Sequence, residues 1–243
     1  MNKLSVHERM TEVLARVRAR AERSGRPAEA VRVVLVTKGV PAATVRQAAW
    51  LEGALVGESR VVEAIEKQEA LADCDFEWHF IGHLQRNKVG RCGSRFKLIH
   101  SVDSLELLAS IDRCARSSNG VQDVLLQVNV AREVTKSGFM LDQVATVLKT
   151  CQGWSGVRVR GLMTIPPRVD DPEEVRPVFR RLREFATQDL QDVTDWPGGL
   201  ELSMGMSTDF EVAIEEGATL VRIGRAIFGE RPTGAGSHIQ EGP

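Results

Sequence analysis

A lysine at the end of a β-branched run is the first residue that could do chemistry. The segment VRVVLVTK, residues 31–38, has strand length and composition. Side chains alternate along a strand, so Val34, Val36 and Lys38 share one face, while Val33, Leu35 and Thr37 share the other. If the first set faces the interior of a closed sheet, Lys38 stands in its mouth on two layers of valine. Partial desolvation there would lower its pKa and leave a neutral amine free to attack a carbonyl, the requirement for a Schiff base. A solvated loop lysine is the alternative.

A second cluster lies near the C-terminal end. LSMGMSTDFE, residues 202–211, runs from a strand through a glycine turn into a helix, and Thr208 with Glu211 has the T-x-x-E form of a capping box. Such a helix start offers free N–H groups to an anion. After the next strand, Gly224-Arg225-Ala226 can open a short helical turn. Ser203, Ser207, the backbone of Gly224 and Arg225 could together cradle a phosphate; capped helices and a tight turn are the structural alternative. A lysine nucleophile opposite a phosphate cradle suggests an aldehyde cofactor that carries a phosphate.

Arg222 matches Leu220 in parity and should point inward on the last strand. A buried arginine needs a partner. One reading pairs it with Glu58 in the core. The other sets it against a pyridine nitrogen, which it would leave unprotonated, because arginine has no acceptor and keeps its own proton.

His79 and His83 have HxxxH spacing, but they bracket the strand WHFIG, where four residues span roughly 13 Å. Two ligands of one metal cannot stand that far apart, so no metal site is expected. His83 either lines the site or is a satisfied loop histidine. Ser59, Met163 and Lys136 are weaker candidates, with packing or loop structure as the safer reading of each.

These residues need a frame that gathers strand ends. Apolar runs of strand length fall at 31–38, 54–58, 78–82, 97–102, 123–130, 157–165, 200–204 and 220–223. Helical patterns lie between them at about 60–71, 85–92, 104–117, 141–151, 172–190 and 208–217. An amphipathic helix precedes them, with Val6, Met10, Val13, Leu14, Val17 and Ala21 on one stripe. Eight strands alternating with helices predict an α/β fold, a single (β/α)8 TIM barrel with an extra N-terminal helix. The rival is an open doubly wound sheet, disfavoured because no GxGxxG follows the first strand. Nothing divides the chain into two, so residues 1–230 are expected to form one domain. Residues 231–243 (RPTGAGSHIQEGP) read as a loose tail.

Composition excludes several classes. The 32 Lys and Arg balance 33 Asp and Glu, so the basic excess of a nucleic-acid binder is missing. No apolar run reaches membrane-spanning length, and the N-terminus has no signal-peptide core. The four cysteines, Cys74, Cys92, Cys114 and Cys151, form no CxxC unit and read as reduced thiols of a cytoplasmic protein. The chain contains no tyrosine, which removes any mechanism that needs a phenol as acid or base.

The strings VLVTKGVP (34–41), VGESRVVEA (56–64), WHFIGHLQRNKV (78–89), IHSVDSLELL (99–108), LLQVNV (125–130), TKSGF (135–139), VRGLMTI (159–165) and LSMGMSTDFEVAIEEGATLVRIGRAIFGE (202–230) resemble the pyridoxal phosphate homeostasis protein family, the YggS/PROSC-like proteins. The similarity runs in order from about residue 31 to 230. It implies the N-terminal barrel of alanine racemase, a PLP fold type III-like domain. It implies pyridoxal 5'-phosphate (PLP) held as a Schiff base on Lys38, with Ser203, Gly224 and Arg225 at the phosphate and Arg222 near the pyridine nitrogen. His83 and Ser207 would line the pocket. The implied role is intracellular PLP (vitamin B6) homeostasis by a monomeric, non-enzymatic carrier, with apo PLP enzymes as possible recipients.

Three departures from the usual family pattern stand out. GES replaces GEN, so Ser59 stands for an asparagine; KGVP replaces KTKP beside Lys38; and Arg225 stands where several relatives have a small residue. The alternative function is a weak PLP-dependent amino-acid racemase or decarboxylase. Racemisation needs a second base opposite the lysine. In the racemase that base is a tyrosine from an additional domain, for which the segment after residue 230 is too short. A sugar- or nucleotide-phosphate barrel without PLP is the third reading.

Overall fold

The computed structural model describes residues 4–92, 94–196 and 198–229. The expected tail, 231–243, lies outside the described residues. Helix α1 (Val6–Arg23) begins with a capping box: Glu8 N donates to Ser5 Oγ at 3.2 Å, and Ser5 N donates to Glu8 Oε2 at 2.7 Å. Its stripe of Val6, Met10, Val13, Val17 and Ala21 is buried, and the helix lies against α8 (Phe210–Glu215) and α9 (Arg225–Phe228).

Eight parallel strands follow: β1 (Arg32–Val36), β2 (Ala54–Glu58), β3 (Phe76–Phe80), β4 (Leu98–Val102), β5 (Gln122–Gln127), β6 (Val157–Met163), β7 (Glu201–Met206) and β8 (Leu220–Ile223). They close into a barrel in sequence order, and β8 pairs with β1 through Val34↔Arg222 and Leu35↔Ile223. Between them lie α2 (Ala42–Val45), α3 (Val61–Ala70), α4 (Val89–Cys92), α5 (Leu105–Ser117), α6 (Leu141–Cys151) and α7 (Arg176–Glu184). The closed sheet removes the open doubly wound alternative. Among the described residues, no helix is long and apolar enough to cross a membrane.

Alternation along the strands sorts side chains into two cores. Val34, Leu55, Leu98, Leu125, Met163 and Leu220 fill the barrel interior, with Ile81 against them. Val33, Leu35, Val56, Ile99, Val124 and Leu126 belong to the layer between strands and helices. Met163 is therefore core, the safer of its two readings.

The elements depart from the sequence expectation where local chemistry intervenes. β3 ends at Phe80 instead of 82, because the chain closes tightly on the end of β2. A Cβ at Gly82 would lie 2.2 Å from Ser59 O, so only glycine fits there. The helix expected at 85–92 is a 3₁₀ turn (Arg86–Lys88) followed by α4. The pattern at 172–190 is split into a 3₁₀ turn (Pro172–Val175), α7 and a π turn (Phe185–Asp189). The Thr208–Glu211 box does not form. Asp209 stands at the N-cap of α8 and accepts from Met206 N at 2.6 Å, while Glu211 is taken by Arg16 and Arg20 of α1.

Candidate functional site

Lys38 follows β1 at the C-terminal rim. Thr37 N still donates to Gly57 O at 3.1 Å, and the chain then turns, with Gly39 at φ +70° and Val40 N donating to Thr37 O at 2.9 Å. Pro41 then opens α2. Val34 faces the interior as the alternation predicts, but Lys38 itself is exposed. The rim thus leaves Lys38 in contact with solvent.

The residues on either side of Lys38 are anchored from behind by a buried ionic cluster. Lys67 Nζ on α3 donates to Thr37 O at 2.6 Å, to Glu58 Oε1 at 2.6 Å and to Glu63 Oε1 at 2.7 Å. Thr37 Oγ1 also donates to Glu58 Oε1 at 2.6 Å, and Gly39 N donates to Glu63 Oε1. Burial raises the pKa of Glu58, against the lowering pull of Lys67 and Thr37. Glu58 thus points between strand and helix, not into the barrel. The expected Glu58–Arg222 pair does not exist, because the two residues occupy opposite faces of the sheet.

Arg222 does point inward and is buried. Its Nη1 donates to Ser203 Oγ at 2.7 Å and its Nη2 to Thr164 O at 2.8 Å. Burial pushes its pKa down to about 10, partly opposed by the charge of Asp209. Ser203 is fully buried, and its Oγ also lies 2.8 Å from His100 Nδ1. Ser203, expected in the cradle with Ser207, thus stands inside the barrel beside Arg222 and His100. Ser203 pairs with Met163 and Leu220, both interior residues, so strand alternation points it inward; beyond it β7 has an irregular register up to Met206, and Gly205 adopts φ +91°. That kink leaves Ser207 above Ser203 at the rim.

Ser207 does reach the turn after β8. The N–H groups of Gly224 and Ala226 both point to its Oγ at 3.4 Å, long contacts that an anion could displace. A Cβ on Gly224 would lie 3.1 Å from Val36 O and 3.2 Å from Val36 Cβ. The turn is therefore packed directly on the end of β1, and Lys38 emerges two residues beyond that contact. Arg225, at the start of α9, is exposed.

The structure thus brings Lys38, Ser207, Gly224 and Arg225 to one sector of the rim, with Arg222 and Ser203 enclosed in the barrel. His83 stands apart, beyond β3, where its side chain is 63% exposed and Nδ1 lies 3.1 Å from Asp103 Oδ2. Lys136 donates to Pro166 O at 2.9 Å and Ile165 O at 3.3 Å, joining two rim loops. His79 does not converge with His83. It is buried, with Nδ1 2.9 Å from His100 Nε2 and Nε2 3.0 Å from Glu77 Oε1. Sequence reasoning overlooked His100, although its parity with Leu98 in LIHSV marks it as inward-facing.

A family model described as alanine racemase, N-terminal domain, matches residues 9–232. The pyridoxal phosphate homeostasis protein of Aquifex aeolicus is 46% identical over 225 residues, covering 92% of this chain and 97% of that protein. The pyridoxal phosphate homeostasis protein of Pseudomonas aeruginosa is 38% identical over 232 residues, covering 95% of this chain and 98% of its own length. Among solved structures, PipY of Synechococcus elongatus with PLP bound superposes with a TM-score of 0.79 at 35% identity, over 93% of this chain and 100% of that one.

Proposed function

This chain belongs to the pyridoxal phosphate homeostasis protein family, within the alanine racemase N-terminal-domain fold, and we propose from that premise that it binds PLP at the β1/β8 rim. One observation carries the assignment to residues: the turn at Gly224 abuts Val36, so phosphate-seeking N–H groups and a rim lysine are neighbours. The residues fit the cofactor. Gly224 and Ala226 offer backbone donors, Ser207 a hydroxyl and Arg225 a cation, in a cradle that a Cβ at Gly224 would crowd.

When bound, PLP supplies an aldehyde for a lysine amine, a dianionic phosphate and a pyridine nitrogen. Lys38 is the amine, presented by a turn that Lys67 and Glu63 tie down on both sides. Ser207 and the N–H groups of Gly224–Ala226 hold the phosphate. Arg222 would serve the ring nitrogen and, keeping its own proton on the guanidinium, would leave the ring a weak electron sink. His83, beyond β3 and beside Asp103, would flank the mouth from that side.

We read the protein as a carrier and not a catalyst. The chain has no tyrosine to act as a second base opposite Lys38, and an arginine-faced ring stabilises a carbanion poorly. Release of PLP to apo PLP enzymes, a monomeric state and a cytoplasmic setting complete the reading; the four free cysteines are in keeping with a reducing compartment.

The test is a PLP titration followed by visible absorbance. The wild-type protein is expected to gain the band of lysine-bound PLP with near-stoichiometric saturation. Lys38→Ala should lose the band while the protein stays folded by circular dichroism. A wild-type protein that gains no band would refute the proposal.

A further inference from the structure

Four hydrogen-bonded contacts run through the barrel from the proposed cofactor side to the opposite end. Arg222 Nη1 meets Ser203 Oγ at 2.7 Å; Ser203 Oγ meets His100 Nδ1 at 2.8 Å; His100 Nε2 meets His79 Nδ1 at 2.9 Å; and His79 Nε2 meets Glu77 Oε1 at 3.0 Å. Ser203, His100 and His79 are buried, and each is the inward-facing member of its own strand, β7, β4 and β3. Glu77 is the second residue of β3, at the N-terminal end of the barrel, and is half-buried.

The two ends dictate the direction of the chain. A guanidinium only donates and a carboxylate only accepts. The hydrogen bond from His79, with burial acting against it, holds the Glu77 carboxyl below its ordinary range, so this end is an acceptor. His79 Nε2 must then carry a proton. With neutral rings, His79 Nδ1 accepts from His100 Nε2–H, and His100 Nδ1 accepts from the Ser203 hydroxyl. Ser203 Oγ, having given its proton away, presents its lone pairs to Arg222. With both rings neutral every donor meets an acceptor once, and the polarity is fixed by the carboxylate at one end; a doubly protonated His79 would reverse the two inner bonds, placing the proton of His100 on Nδ1. Successive bonds of one polarity strengthen one another in a low-dielectric interior.

We propose that Glu77, His79 and His100 are positioning residues for Arg222, forming a one-way hydrogen-bonded chain that hands the carboxylate's acceptor strength to Ser203 Oγ and so fixes the orientation of the guanidinium. This rests on the reading that Arg222 faces the ring nitrogen of PLP. No carboxylate contacts Arg222 among its hydrogen-bond partners here; they are a hydroxyl and a backbone carbonyl. Asp209 acts on Arg222 through space without a hydrogen bond, and the chain adds a directed acceptor at Nη1.

Two measurements test it. Long-range ¹⁵N–¹H spectra of the PLP-free protein should show His79 and His100 both as the Nε2–H tautomer; an Nδ1–H tautomer at either ring overturns the chain. In the PLP titration, His100→Phe is expected to weaken binding about tenfold, the size of one charge-assisted hydrogen bond, and to shift the visible band. Glu77→Gln, at the half-exposed end, keeps the shape and should shift the band the same way by less. Binding within twofold of wild type and an unmoved band in both variants would overturn the proposal. Failure of the wild-type protein to bind PLP would refute the cofactor reading alone, while the tautomer spectrum, taken without PLP, still judges the chain.

Discussion

Lys67 Nζ lies 2.6 Å from the carbonyl oxygen of Thr37, the residue immediately before Lys38. One buried ammonium thus holds the backbone of the proposed cofactor lysine and neutralises two glutamates at once. Its loss would leave Glu58 fully buried and unpaired. Lys67→Met is expected to destabilise the fold by about 3–5 kcal/mol, measured by urea unfolding at pH 7.

The same variant should show an unusual pH dependence. Burial raises the folded-state pKa of Glu58 above 4.5, so the folded state binds a proton that the unfolded state has lost. Stability associated with this group is present below 4.5 and declines as pH rises through the raised value. Without Lys67 the rise is larger, so Lys67→Met should recover part of its lost stability relative to wild type on acidification from pH 7 towards 5. A stability gap that stays constant or widens over that range would contradict this account.

Ser203 and Ser207 should separate cleanly in substitution. Ser207→Ala removes a group from the rim turn. It should weaken PLP binding while leaving binding of pyridoxal, which lacks the phosphate, nearly unchanged. Ser203→Ala instead strands Arg222 Nη1 and His100 Nδ1 inside the barrel, at a stability cost of about 1–3 kcal/mol. Its preference for PLP over pyridoxal should persist. Competition between the two ligands, read by absorbance, decides between these outcomes.

Gly224→Ala tests the packing of the turn. The backbone there, at φ −120°, is open to alanine, but the new Cβ would press on Val36 O at 3.1 Å. The expected result is a loss of about 1–3 kcal/mol and weaker PLP binding, because the donors of the turn are pushed away from Lys38. Unchanged affinity would mean that the turn does not hold the phosphate.

Acid stability should depend on Arg176. It donates to Glu173, Glu215 and Glu216, tying α7 to α8, and Arg20 reaches Glu215 from α1. The hydrogen bond from Arg176, followed by that from Arg20, holds Glu215 below 4.5. Stability from this pair is present above 4.5 and is lost as pH falls through the folded value. Arg176→Ala should therefore lower Tm near pH 7 and converge with wild type in acid, as followed by thermal unfolding between pH 3 and 7.

Much of this protein was legible in the sequence because strand alternation is local. Period two placed Val34 and Arg222 inside the barrel, and eight apolar runs between helical patterns specified the closed fold. Lys38 could be found as the last residue of its run, and the similarity of LSMGMSTDF and VRIGRAIFG to a known family pointed to the rim turn. The partners of those residues depend on how far neighbouring strands are staggered and where they kink. Only the closed barrel sets His100 of β4 against Ser203 of β7. Alternation sends Ser203 inward, and only the kink at Gly205 sets Ser207 at the rim above it. Glu58 was a plausible partner for Arg222 by charge alone, until the sheet put them on opposite faces and gave Glu58 to Lys67. Periodicity decides which way a side chain points; what it meets depends on chain segments distant in sequence, and only the folded barrel brings those together.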